Sequence, residues 1–139
     1  MSDIHILLLP RPASIQAIRD RLKEAYQLSP DRDLGEVEEL NVCDGQGRTV
    51  CVIEYLQPYP PGKMEKDLHA RGAEPEKLQG FVLRYCKWPA MNDVLVRLAN
   101  SPDAWIYPVT EIPISGAEYA ARTRADPNWN PLSQQRRTL

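Results

Sequence analysis

Histidine is nearly absent. His5 and His69 are the only two in 139 residues, far apart in sequence, and neither is followed by a ligand-type partner at i+3 or i+4. No zinc site can be built on that spacing. The three cysteines, Cys43, Cys51 and Cys86, show no CxxC pattern. An odd count inside apolar runs favours reduced, buried thiols over a disulfide framework. Long apolar runs are missing too. Ile4–Leu9 contains a histidine and stops at Pro10, too short for a secretory or membrane-spanning segment, so a cytoplasmic location is expected. Gly45 and Gly47 are the only closely spaced glycines and no helix start follows them, which excludes a phosphate loop or dinucleotide fingerprint. No G-x-S-x-G elbow occurs.

Proline is abundant. Thirteen prolines, against a usual share of about 5%, fall between the apolar runs and read as rigid connectors. The charges are also unevenly placed. Residues 31–76 carry eleven acids against five bases, a local net of −6, whereas the last twenty residues carry four arginines against Asp126. An acidic middle repels phosphates, so nucleic acid is not an expected partner; a basic protein surface suits it better.

The chain is organised around Gly80–Thr110. Phe81–Trp88 alternates apolar and polar side chains, as a half-buried strand does. Pro89 ends it and opens a helix through Met91, Val94, Leu95 and Leu98; Ala104–Val109 then forms another strand. Upstream, Ile4–Leu9 reads as a buried strand. Ser14 caps a helix with Ile15, Ile18, Leu22, Ala25 and Tyr26 on one face. Glu36–Cys43 and Arg48–Leu56 flank Asp44-Gly45-Gln46-Gly47, the clearest hairpin signal. Pro58–Gly62 is stiff, Lys63–Arg71 forms a short helix ended by Gly72, and Ala73–Gln79 reads as a surface linker. Ser115 and Glu118 form a capping box ahead of a helix over Tyr119–Ala125, and Trp129 anchors the segment that follows.

The predicted architecture is α+β: a single mixed or antiparallel sheet of about five strands with two to four helices packed mainly on one face. Residues 1–131 make one domain and 132–139 a frayed tail.

Two functional readings remain. Cys86, His69 and the hairpin acids Glu38, Asp44 and Glu54 could serve a small enzyme or a ligand-binding pocket between sheet and helices. The stronger reading is a non-enzymatic protein-binding protein. Tyrosine and tryptophan dominate the aromatics, and these residues anchor interfaces. Tyr59, flanked by prolines beside the acidic hairpin, is the preferred interface residue, whereas Tyr85, Trp105 and Tyr107 read as core or boundary positions. Ile114-Ser115-Gly116-Ala117-Glu118-Tyr119 followed by Asp126-Pro127-Asn128-Trp129, on a chain of this size and charge, resembles the C-terminal helices of small bacterial toxin-immunity proteins. The resemblance covers about sixteen residues and rests on a capping box and a helix stop. It implies inhibition of a cognate toxin, with Glu36, Glu38, Glu39 and Asp44 meeting a basic active-site surface and Tyr59 filling a pocket. No cofactor, metal, membrane or nucleic-acid partner is expected, and an adaptor or a homodimer subunit is equally compatible with the sequence.

Overall fold

The computed structural model describes residues 4–29, 39–56, 62–87, 89–108 and 113–129. The predicted tail 132–139, and Glu36, Glu38, Tyr59 and Trp88, lie outside them. In chain order the elements are β1 (Ile4–Pro10), α1 (Ile15–Leu22), β2 (Gln27–Ser29), β3 (Glu39–Cys43), β4 (Thr49–Tyr55), α2 (Gly62–Ala70), β5 (Leu78–Arg84), α3 (Ala90–Ala99), β6 (Trp105–Pro108), β7 (Ile114–Ser115) and α4 (Gly116–Ala125). A 3-10 turn, Pro75–Lys77, precedes β5.

The described strands form one antiparallel sheet of seven, ordered β2-β3-β4-β5-β1-β6-β7. The strands beyond the expected five are β2 and β7, of three and two residues, one at each edge. Such short edge strands offer little ladder for another chain to extend. β1 lies between β5 and β6, and the apolar run Ile6–Leu9 within it follows from burial on both faces. Leu7 and Leu9 enter one core cluster and Leu8 the other.

Helices α1, α3 and α4 supply Ile15, Ile18, Leu22, Met91, Val94, Leu95, Leu98 and Tyr119 to the larger cluster. α2 covers part of the opposite face, where Met64 and Leu68 meet Leu8, Leu78 and Tyr107; Tyr107 also donates to Asp67 at 2.7 Å. The helices therefore lie mainly, but not wholly, on one face.

Boundaries differ from the sequence reading where pairing overrides local pattern. α1 starts as expected, with Ser14 Oγ accepting from the Ala17 N–H at 3.1 Å, but it ends at Leu22. Its expected last turn instead leads into β2, which pairs with β3 and buries Leu28. β5 starts three residues before the predicted strand and ends four residues before it, because Leu78 and Gly80 pair with Pro10 and Leu8. The supposed surface linker 73–79 thus buries Ala73 and Leu78 beneath α2.

The C-terminal end is held by a polar relay. Tyr119 OH donates to Asn92 Oδ1 at 2.7 Å, and Asn92 Nδ2 donates to the carbonyls of Trp129 at 2.7 Å and Pro127 at 3.0 Å. The Tyr119 and Trp129 rings meet at 5.0 Å, and the Arg122 guanidinium lies 5.4 Å from the Trp129 ring centroid. Ser115 Oγ caps α4 by accepting from the Glu118 N–H at 3.2 Å. Tyr119→Phe deprives a buried acceptor of its donor, so urea unfolding should show a loss of about 1.5 kcal/mol.

Candidate protein-binding surface

At the β3–β4 turn, Asp44 Oδ1 accepts from the backbone N–H groups of Gln46 at 2.8 Å and Arg48 at 3.0 Å. Gly47 turns with φ +79°, the left-handed conformation that a three-residue hairpin loop requires and glycine adopts without steric penalty. The bonds from Arg48 and then Gln46 hold the Asp44 carboxyl below its ordinary pKa of 3.8. A depressed folded-state pKa means that the carboxylate stabilises the fold above the unfolded value, and that this stabilisation is lost as pH falls through the folded one. The stability gap between the native protein and Asp44→Asn, measured by urea unfolding, should therefore narrow between about pH 7 and about pH 3.

Close to that turn, β5 ends in a bulge. Arg84 pairs with Val52, but the next bond runs from the Lys87 N–H to the Val50 carbonyl at 3.0 Å. The chain thus advances three residues on the β5 side against two on β4. Tyr85 takes up the extra step at φ +59°. For a bulky residue this backbone is a real outlier, and strain of that kind is retained where surrounding structure enforces it. The bulge reverses the side-chain alternation: Phe81 and Leu83 enter the core, Cys86 follows them in at 7% exposure, and Tyr85 is left 56% exposed. Tyr85 is the single large hydrophobic side chain exposed to this degree among the described residues.

The neighbouring sheet face is polar. Glu39 and Arg84 are exposed there, and Asn41, Cys43, Val52, Glu54 and Val82 are half-buried. Glu39 lies directly across the ladder from Glu54, and Glu54 Oε1 accepts from Arg84 Nε at 2.7 Å. Like charges opposite one another are unfavourable, and Arg84 offsets part of that repulsion.

The predicted partner-binding residues are thus dispersed. Glu39 begins β3 and Asp44 follows its end, and the Asp44 carboxylate is engaged by its own turn. The sheet does not bring the two together. Glu36, Glu38 and Tyr59 lie outside the described residues. The sequence reading placed Tyr85 as a core or boundary residue; in fact it is the exposed aromatic among the described residues. The signal available was the next apolar residue, Cys86, which stands one position out of phase with Phe81 and Leu83.

The enzyme candidates do not converge either. Cys86 Sγ lies 3.6 Å from the Leu83 carbonyl in the larger cluster. His69 is exposed on α2, which covers the other face. Burial, with smaller contributions from Cys86 and Cys43, pushes the Cys51 thiol up, so it stays protonated. Among the described residues no three His, Cys, Asp or Glu side chains gather as a metal-holding group, and no helix is long and apolar enough to cross a membrane. No protein-family model, curated protein or solved structure matches the chain.

Proposed function

We propose that this is a non-enzymatic protein-binding protein that acts in the cytoplasm as a small immunity protein does, neutralising a cognate bacterial toxin by occluding its active or substrate-binding surface. The observation that carries the reading is Tyr85, an aromatic ring held out to solvent by a left-handed backbone among charged neighbours. A rigid tyrosine brings a large contact area at low entropy cost, and a ring of charged groups around it can exclude water from the contact. The acidic segment leading into Glu39 would meet a basic toxin surface and speed the encounter at low salt.

The test is affinity purification of the tagged protein from its native cells, with Tyr85→Gly and Glu38→Lys/Glu39→Lys as comparison baits. The recovered partner's own activity is then assayed with each purified bait. One stoichiometric partner, inhibited by the native protein and released by both variants, is the expected result. Recovery of the native protein alone would sink the reading. A ligand-binding role has one observation on its side, the cleft at the opposite end of the sheet.

A further inference from the structure

A cleft of about 730 Å³ opens where the ends of β1 and β5, the turn before β5 and the α3–β6 loop meet. Small-molecule sites run from about 300 to 1,000 Å³. Trp105, half-buried on β6, forms part of its wall together with Pro10 and Pro102.

Charged side chains on that wall are only partly paired. The Arg11 N–H donates to the Lys77 carbonyl at 2.9 Å, and Arg11 Nε donates to the Leu78 carbonyl at 3.0 Å. This leaves its two terminal nitrogens as donors. Lys77 is neutralised by Glu74. Arg11, Glu76 and Asp103 all line the cleft, yet none of them makes an ion pair among the described residues. One cation and two carboxylates therefore share a cavity without contacting each other. A simple anion would meet the two acids, and a simple cation would meet Arg11. A molecule with both charges, separated by a short backbone, can satisfy both sides.

We propose that the cleft binds a zwitterionic amino acid or short peptide. Its carboxylate lies on the end of the Arg11 guanidinium, which is shaped for two parallel bonds to a carboxylate. Its ammonium faces Asp103 and Glu76, and its apolar side chain lies on the Trp105 indole. The site is remote from the Tyr85 end of the sheet, so it stands or falls independently of the protein-binding reading.

The test is a ¹H–¹⁵N NMR titration of the full chain with three probes sharing one ring: L-phenylalanine, N-acetyl-L-phenylalanine and L-phenylalaninamide. L-phenylalanine should shift the Trp105 indole N–H and the backbone amides of Ala73, Leu78 and Asp103. Each singly charged probe should bind at least about tenfold more weakly, one lost charge-assisted bond being worth that much. Arg11→Gln and Asp103→Asn should each weaken L-phenylalanine by a similar factor; the second leaves the Arg11 anchor to Leu78 intact and so separates binding from folding. Absence of shifts with all three probes, equal binding of the three, or L-phenylalanine binding unchanged in both variants would overturn the proposal.

Discussion

Tyr85→Gly should reduce partner affinity roughly 30-fold, the equivalent of about 2 kcal/mol for a central aromatic anchor. Tyr85→Ala should reduce it equally, since both substitutions remove the ring. The two variants should separate in stability. Alanine keeps a Cβ that collides with the backbone at φ +59°, whereas glycine has none. Tyr85→Gly should therefore be more stable than Tyr85→Ala by about 1 kcal/mol. At an ordinary strand position the order runs the other way, because glycine costs more conformational entropy on folding. Urea unfolding gives the stabilities, and calorimetric titration of the purified partner gives the affinities. If the alanine variant proved the more stable, Tyr85 would not be strained in solution. If both variants kept native affinity, the binding surface would lie elsewhere.

Gly116→Ala should cost about 3 kcal/mol or more. A Cβ at Gly116 would sit 1.4 Å from the Ala99 carbonyl oxygen and 2.9 Å from that of Ser101, both backbone atoms with no rotamer to escape through. The same close approach lets the Gly116 N–H reach the Ala104 carbonyl at 2.7 Å and the Ala117 N–H reach that of Ser101 at 3.1 Å. Helix propensity alone favours alanine over glycine by about 1 kcal/mol, so packing has to reverse the sign. Gly45, with nothing within 4 Å of its would-be Cβ, is the matched control: Gly45→Ala should stay within about 0.5 kcal/mol of the native protein. Urea unfolding of the two variants decides the matter.

The sequence shows these constraints unevenly. The Asp44–Gly47 turn, the Ser14 and Ser115 caps and the apolar stripe of α3 are local devices, written in adjacent residues and readable as such. β2 and β7 are not, because three- and two-residue strands have no period to detect; their partners define them. The Tyr85 bulge escapes the sequence for a related reason. Alternation predicts an inward ring, and only the offset between the Val52–Arg84 and Val50–Lys87 positions on paired strands reveals the extra step. Gly116 carries no local mark either, since its constraint comes from the last residue of α3 and the loop that follows it. The cleft joins Arg11, Glu76 and Asp103 from three separated segments, a convergence that no spacing rule encodes.

The place of β1 in the interior of the sheet, between β5 and β6, also bears on the order of events during synthesis. Its neighbours come from residues 78–84 and 105–108, so Leu7, Leu8 and Leu9 emerge from the ribosome long before any strand exists to receive them. β3 and β4 are joined by a tight turn, and a hairpin of that kind closes in about 1–10 μs. β1 has to wait for distant contacts, which slow the folding of sheet-rich chains. During that interval its two-sided apolar surface is the part of the nascent chain most exposed to aggregation or to capture by a chaperone.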